Sequence, residues 1–175
     1  MLDLRAFIRD IPDFPKPGIV FKDITPLLAD PAALRAAVDA LAACVTPLEP
    51  DIVLGAESRG FILGPALALR LGIGFAIARK PGKLPWTTVT ASYALEYGED
   101  SLELHDDAIR KGMRVLVHDD LLATGGTARA TCDLAEAVGG TVVGCAFLIE
   151  LAFLGGRARL APFQVDALIS YESED

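Results

Sequence analysis

The chain has 175 residues, a length typical of one domain with a substantial core. Hydrophobic residues make up 52% of it, and 16 Lys and Arg against 24 Asp and Glu give a formal net charge of −8. An acidic chain is not suited to bind nucleic acid through its overall field, although a local basic cluster can still bind small anions.

The cysteines and the N-terminal residues indicate a cytoplasmic protein. The cysteines are odd in number, lie in apolar contexts and form no CxxC, which argues against disulfides and zinc: Cys44, Cys132 and Cys145. The start, MLDLRAFIRD, has early acids and no apolar core of signal-peptide length. Residues 60–78 are strongly apolar, but Gly72 and Gly74 divide them into a helix-sized and a strand-sized piece, so we predict a buried helix and a strand rather than a membrane span.

Residues 1–28 have the composition of an irregular N-terminal segment. Asp3 is predicted to cap a short helix that runs through Arg9 and ends at Pro12. Four prolines and one glycine in residues 11–28 predict mostly extended or looped chain there. Phe21 has two interpretations: a core residue, as most phenylalanines are, or the displayed ring of a hood over a ligand.

The next elements form a helix and a strand that ends in a polar turn. Asp30 as N-cap and Pro31 as first residue predict a helix start, and apolar residues at helical spacing follow until Pro47 closes it. Residues 51–55 are then predicted to form a strand. The following turn, AESRG, leads into an apolar helix, and its charged Glu57 and Arg59 either pair with each other or form an anion pocket.

A basic segment and a hairpin follow. Residues 73–78 predict a strand that ends in three nearby cations, Arg79, Lys80 and Lys83. Such a cluster is commonly a solvated loop, but at a strand end it can also neutralise a multiply charged anion. Residues 84–106 predict a hairpin with strands at 87–90 and 101–104 and a turn at 98–100, which can close over a site as a flap and exclude water.

The stretch 114–131, RVLVHDDLLATGGTARAT, carries the clearest functional pattern. Residues 115–117 predict a buried parallel strand, with Asp119 and Asp120 where it should end, a glycine turn, and a helix that runs to Gly139. Further strands at 141–150 and 165–170, with a short helix at 153–160 between them, complete a mostly parallel α/β sheet with crossovers and one hairpin. Side chains at the carboxyl ends of such strands are the usual place for a site.

The glycine turn is suited to bind phosphate. Gly125 and Gly126 permit positive φ and close approach to a ligand, while Thr124 and Thr127 offer hydroxyls and can cap the helix. Amides at the helix start favour an anion. Carboxylates cannot hold phosphate, but they accept hydrogen bonds from ribose hydroxyls or from hydrated Mg²⁺. The stretch therefore predicts a ribose 5-phosphate site. Without GxxxxGK[ST] or a strand-linked GxGxxG, it is neither a nucleotide triphosphatase nor a dinucleotide motif.

The combined pattern resembles the phosphoribosyl pyrophosphate (PRPP) signature of the type I phosphoribosyltransferases, and most closely that of the adenine phosphoribosyltransferases. Similar segments occur in that family's order over nearly the whole chain: FPKPGIVFKDITPLL, ESRGFILGPALA, RKPGKLP, TASYALEYG and VHDDLLATGGT. The resemblance implies one domain, 1–175, with a hood at 1–28 and a flexible flap at 84–106. It also implies transfer of a phosphoribosyl group to adenine, giving AMP and pyrophosphate, by a cytoplasmic homodimer in purine salvage that binds neither nucleic acid nor a membrane.

The resemblance also assigns the candidate site residues. The 5′-phosphate would be bound by Ala123, Thr124, Gly125, Gly126 and Thr127, and the ribose hydroxyls by Asp119 and Asp120. Pyrophosphate would be bound by Ser58, Arg59, Arg79, Lys80, Lys83 and Tyr97. Adenine would be bound by Val20, Phe21, Lys22 and Leu121, with Glu96 of the flap as the catalytic acid or base. Mg²⁺ is the expected cofactor, held mainly by the substrate, with Asp119 as the candidate protein ligand.

Two positions depart from the family pattern, and two other functions stay open. Lys22 stands where arginine is frequent, which weakens any expectation of a bidentate contact. His118 stands where an aliphatic residue is common, so its strand is expected to be less fully buried. The alternative functions are transfer to another base, such as hypoxanthine, guanine or orotate, and a regulator that senses PRPP without catalysis.

Overall fold

The computed structural model describes residues 2–95 and 98–173. Its strands are β1 (Arg9–Ile11), β2 (Phe21–Asp23), β3 (Ile52–Ala56), β4 (Gly74–Ala78), β5 (Thr88–Leu95), β6 (Gly98–His105), β7 (Arg114–Leu122), β8 (Thr141–Leu151) and β9 (Val165–Tyr171). Its α-helices are α1 (Thr25–Ala29), α2 (Pro31–Val45), α3 (Gly60–Leu71), α4 (Gly126–Ala137) and α5 (Gly156–Arg159). Short 3₁₀ turns lie at Leu4–Phe7, Thr46–Leu48 and Ala152–Leu154.

A five-stranded parallel sheet in the order β4-β3-β7-β8-β9 forms the centre of the molecule. Every residue of β3 is buried, because helices cover both faces of a parallel sheet. Leu54 of β3 pairs with Val117 of β7, so β3 ends beside the acidic pair of β7, which continues to Leu122. One core cluster lies on the face covered by α4 and the β5–β6 hairpin, and the other on the face of α1, α2 and α3. The predicted α/β architecture is therefore confirmed.

Helix α2 begins where the sequence predicts. The side chain of Asp30 accepts hydrogen bonds from the amides of Ala32 and Ala33 at 2.9 and 2.8 Å. Residues 31–48 are long and apolar enough to cross a membrane by length and composition alone. Core helices of soluble proteins pass the same test. Here one face of α2, which includes Leu41, is fully buried against the core. Residues 60–78 divide into α3 and β4, as predicted.

The acidic pair lies inside β7 rather than after it, because the strand continues to Leu122. Two residues before Asp120, His118 is completely buried, which contradicts the expectation of a less buried strand. Its Nδ1–H donates to the carbonyl of Ala146 at 2.9 Å. Helix α3 fits closely against this segment, because a Cβ on Gly60 would lie 2.8 Å from the His118 carbonyl oxygen.

The N-terminal prediction was wrong in two places. The first helix is only a 3₁₀ turn, and the chain then forms β1, which pairs antiparallel with β2. Arg9 fixes this pairing, since its guanidinium lies 2.6 Å from Asp23 Oδ2. Residues 25–29 form α1 rather than a loop, with Pro26 in its first turn, where the missing N–H costs nothing.

The hairpin at 84–106 exists, but its strands are longer than predicted. Leu95 pairs with Gly98, so residues 98–100 belong to β6 rather than to a turn, and residues 96 and 97 lie outside the described residues. The antiparallel pairing extends the strands because the backbone hydrogen bonds continue past the polar residues that suggested a turn.

Candidate active site

The carboxyl ends of β3 and β7 and the start of α4 enclose one polar pocket. The polar turn after β3, the acidic pair of β7 and the glycine loop are brought together there, and the pocket is lined by Glu57, Ser58, Arg59 and residues 119–128. Because β3 and β7 are adjacent and parallel, their ends meet at one edge of the sheet. The sequence places these segments far apart, and the crossover topology joins them.

The glycine loop at residues 123–127, which is predicted to bind phosphate and is called the phosphate loop below, takes its shape from one glycine. Gly125 has φ +81° and is the N-cap of α4, whereas Gly126 is already helical. A Cβ on Gly125 would lie 2.7 Å from the Gly156 carbonyl oxygen, so the close approach is to the chain itself rather than to a ligand. Neither Thr124 nor Thr127 caps the helix through its side chain. The first amides of α4 lack intrahelical acceptors and are available to an anion.

Asp120 of the acidic pair is buried and Asp119 is partly buried, and their charge is only partly compensated. Asp119 accepts a hydrogen bond from the Asp120 amide at 2.9 Å. Arg59 Nη1 lies 3.2 Å from Asp120 Oδ2, but among the described residues no donor is aligned for a hydrogen bond to that oxygen. Burial, and then the neighbouring carboxylate of Asp120, raises the pKa of Asp119 well above its usual range, and burial raises the pKa of Asp120. The oxygens of both carboxyl groups can accept hydrogen bonds from the hydroxyls of a ligand. Such bonds would offset the free-energy cost of burying the two groups.

Arg59 links the acidic pair to the hood. Its guanidinium lies over the Phe21 ring, 5.3 Å from the ring centre, while its Nη1 contacts Asp120. The pairing of Glu57 with Arg59, one of the two interpretations of this turn, does not occur. Glu57 instead turns to the basic segment, where Arg79 Nε and Lys83 Nζ lie 3.3 and 2.6 Å from its carboxylate oxygens. Arg79, Lys80 and Lys83 do not themselves line the pocket; the basic segment is joined to it through Glu57, which does.

The hood presents Phe21 and turns Lys22 away. Phe21 is partly exposed and packs edge-on against Phe14 at 5.3 Å between ring centres, so it is not a core residue. Val20 before it is also partly exposed. Lys22 is 2% exposed, and its ammonium lies 2.9 Å from Asp10 and 4.2 Å from the centre of the Tyr171 ring. Its side chain does not face the pocket, which contradicts a side-chain contact with the ligand. Successive side chains of a strand point to opposite faces, which explains why Phe21 and Lys22 of β2 point in opposite directions.

The hairpin contacts the phosphate loop through Tyr93. The hydroxyl of Thr127 lies 3.4 Å from the Tyr93 hydroxyl, which lies 3.1 Å from Asp100 Oδ2. Asp100 pairs in turn with Lys80 of the basic segment. The predicted Glu96 and Tyr97 lie outside the described residues, so their roles stay predictions.

The donor set fits a cation that is held mainly by a ligand. Among residues 2–95 and 98–173, no group of three or more His, Cys, Asp or Glu side chains is placed to hold a metal ion. Asp119 and Asp120 nevertheless supply carboxylate oxygens in the pocket, the ligands that Mg²⁺ prefers. Such a pair suits an ion that receives most of its ligands from phosphate oxygens and water.

Comparison with known proteins agrees with this geometry. Residues 24–162 match the phosphoribosyl transferase domain. An adenine phosphoribosyltransferase of Rubrobacter xylanophilus is 60% identical, over 96% of this chain and 91% of that protein. The chain is a member of the adenine phosphoribosyltransferase family. The crystal structure of the Thermoanaerobacter pseudethanolicus enzyme superposes with a TM-score of 0.94 at 49% identity, covering 96% of this chain and 98% of that one.

A ligand complex is also among the similar structures. The adenine phosphoribosyltransferase of Saccharomyces cerevisiae, complexed with adenine and D-2,5-dideoxy-2,5-imino-altritol 1,6-bisphosphate, is 39% identical. It superposes with a TM-score of 0.87 over 93% of this chain and 94% of its own.

Two residues that matter to the pocket, Gly156 and Tyr93, were not predicted from the sequence, and Glu57 was interpreted only as a partner of Arg59 or as part of an anion pocket. A Cβ on Gly156 would lie 2.1 Å from the carbonyl oxygen of Ala123, so this glycine sets the position of the phosphate loop. Glu57 holds the basic segment, and Tyr93 connects the hairpin to Thr127. The Gly155-Gly156 pair was the only local sequence signal for Gly156. The partners of Glu57 and Tyr93 depend on the tertiary structure.

Proposed function

We propose that this protein transfers the phosphoribosyl group of PRPP to adenine, giving AMP and pyrophosphate. The observation that carries the proposal is the pocket in which a glycine loop at a helix start, the acidic pair of β7 and the Ser58-Arg59 turn face one another. A phosphate, two ribose hydroxyls and a leaving pyrophosphate need those three chemistries side by side. The similarity to enzymes named adenine phosphoribosyltransferase supports adenine as the base.

The site residues follow from this chemistry. Residues 123–127 bind the 5′-phosphate through loop amides and hydroxyls, and Asp119 and Asp120 accept the ribose hydroxyls. Ser58, Arg59 and Tyr97 bind pyrophosphate. They act together with the basic side chains that follow β4, which are Arg79, Lys80 and Lys83.

The base lies between Phe21 of the hood and Leu121 of β7. Phe21 is partly exposed and already holds one planar group, the Arg59 guanidinium, so the ring face can accept a flat partner. The backbone of Val20 supplies hydrogen bonds to the base. Lys22 supports the hood from its opposite face, through Asp10 and Tyr171.

Charge development explains how these residues catalyse transfer. As the bond from C1 to pyrophosphate breaks, positive charge develops on the ribose and negative charge on the leaving group. Cationic side chains and loop amides stabilise the departing anion, and the buried carboxylates lie near the developing cation. Asp119 would help to hold Mg²⁺, which would neutralise part of the pyrophosphate charge.

Adenine N9 forms the new bond to C1 and loses its proton, for which the carboxylate of Glu96 is the proposed acceptor. Replacing Glu96 with Gln should slow turnover strongly and leave adenine binding nearly unchanged. Steady-state kinetics and adenine titration separate the two quantities. Unchanged turnover would remove Glu96 from the chemistry.

The physiological setting follows from family membership and composition. The protein acts in purine salvage in the cytoplasm, as a homodimer. Three free cysteines are in keeping with a reducing compartment. Light scattering after size exclusion measures the mass of the assembly, and a monomer at micromolar concentration would contradict the dimer.

A base panel tests the function directly. The protein is mixed with Mg²⁺, PRPP and one of adenine, hypoxanthine, guanine or orotate, and nucleotide formation is followed by chromatography. We expect AMP from adenine and no other nucleotide at a comparable rate. A nucleotide from another base alone would reassign the substrate, and binding of PRPP without any product would favour a sensing role.

A further inference from the structure

Each cation of the basic segment is paired with a carboxylate of the chain itself. Arg79 and Lys83 contact Glu57, at 3.3 and 2.6 Å, and Lys80 contacts Asp100. Glu103 lies close by as well, since its carboxylate accepts a hydrogen bond from the Gly82 amide at 3.0 Å, so the net charge of this region is well below the +3 of its cations alone. A site built only to hold a polyanion tightly would not need these carboxylates.

Glu57 is firmly held in this cluster. Its side chain is 10% exposed, and it also accepts a hydrogen bond from the Lys80 amide at 2.8 Å. Burial opposes ionisation, but the hydrogen bonds from Lys83 and from the Lys80 amide lower the pKa of Glu57 to about 2. The carboxylate therefore stays ionised at neutral pH. It lines the pocket next to Ser58 and Arg59.

Asp100 is held in the same way from the hairpin. It accepts hydrogen bonds from the Tyr93 hydroxyl at 3.1 Å and from the Ser101 amide at 2.8 Å. The Tyr93 hydroxyl in turn lies 3.4 Å from the Thr127 hydroxyl, so this carboxylate is connected to the phosphate loop. The cations themselves stay accessible to a ligand, with side chains 31%, 37% and 48% exposed for Arg79, Lys80 and Lys83.

We propose that Glu57 and Asp100 are internal counter-ions of the pyrophosphate subsite, which weaken its hold on pyrophosphate so that the product can leave. The inference rests on the proposed function. An incoming pyrophosphate must share or displace these carboxylates to reach the cations, and like charges in a partly buried cluster repel it. The free energy of binding is thereby reduced for PRPP and for released pyrophosphate, and left unchanged for adenine.

A different role would be orientation alone, in which the carboxylates hold the cations in the geometry that binds the ligand. The two roles predict opposite signs. If the carboxylates compete with the ligand, neutral isosteres bind pyrophosphate more tightly. If they only orient the cations, the same isosteres release the side chains and bind it more weakly.

The test compares Glu57→Gln and Asp100→Asn with wild type. A matched control is Asp39→Asn, which removes the same charge from an exposed pair with Arg70 on α2 and α3, away from the pocket. Isothermal titration with pyrophosphate in excess Mg²⁺ measures affinity. Steady-state kinetics give KM for PRPP, KM for adenine and the inhibition constant of pyrophosphate.

We expect either site variant to bind pyrophosphate about 3- to 10-fold more tightly, corresponding to ~0.7–1.4 kcal/mol. KM for PRPP should fall in parallel, the inhibition constant should fall likewise, and KM for adenine should not change. The control should match wild type. Unchanged or weaker binding in both site variants would overturn the counter-ion role.

Two further outcomes are informative. If Glu57→Gln does not fold, as shown by thermal unfolding, Asp100→Asn on the hairpin decides the question by the same criteria. If wild type itself binds no pyrophosphate, the proposed function fails, and the counter-ion role fails with it.

Discussion

Gly156→Ala should disturb the phosphate loop without changing any residue of the loop. The new Cβ would lie 2.1 Å from the Ala123 carbonyl oxygen and 3.0 Å from Leu122 Cδ1. Ordinary contact begins at 3.4 Å, so the loop or α5 must move by about 1 Å. Overpacking of this kind costs about 1–3 kcal/mol of stability. A misplacement of about 1 Å at a binding site can cost ~10²-fold in rate, so we expect kcat/KM for PRPP to fall by about 10- to 100-fold.

Gly155→Ala is the matched control. Gly155 has φ +67°, so alanine there pays a backbone cost of about 1–2 kcal/mol, but its Cβ meets nothing within 4 Å. We expect a lower unfolding temperature and nearly unchanged KM for PRPP. Calorimetry and initial rates at varied PRPP measure both quantities. A Gly156→Ala enzyme with the kinetics of the control would refute the argument that this glycine positions the loop.

Three other predictions concern single side chains. Asp30→Ala should remove the N-cap of α2 and cost about 1 kcal/mol, which lowers the unfolding temperature by about 2–4 °C at constant kcat. Burial lowers the pKa of His118 to about 4, so the unfolded chain binds the extra proton below pH 6.5. In urea unfolding, wild type should therefore lose about 2 kcal/mol more than His118→Val between pH 7 and pH 5, because the raised pKa values of Asp119 and Asp120 act with the opposite sign in both proteins. Phe21→Ala should raise KM for adenine by about 10-fold and leave KM for PRPP unchanged, since one face of the base pocket is lost; equal effects on both would contradict the hood assignment.

The sequence predicted those parts of the protein that depend on local pattern. Asp30-Pro31 marks a helix start because an N-cap and a first-turn proline act on their own backbone. The apolar runs before Glu57 and Asp119 identify buried parallel strands, and the glycine turn after Leu122 predicts an anion-binding helix start. These signals were sufficient to place the glycine loop and the Ser58-Arg59 turn directly after their strands, whereas the acidic pair lies within β7, which continues to Leu122.

The errors came from pairing between distant residues. The direction of Lys22 depends on β2, which exists because β1 pairs with it, and the alternation of a strand then turns the side chain to Tyr171. Proline content had favoured a loop there. Likewise Leu95 and Gly98 pair across the hairpin, although the polar residues that follow suggested a turn.

From residue 30 onward, the sequence by itself determined the order of the main helices and strands and the chemistry offered near the ends of β3 and β7, because those follow from local periodicity and residue type. Only the tertiary structure decided which charges meet. Glu57 pairs with Lys83 rather than with Arg59, since the parallel register of β3 and β4 places their ends side by side. Arg59 is left to contact Asp120 and Phe21. Ion pairs and close packing depend on distances of a few ångström between residues far apart in the chain, and local sequence does not encode those distances.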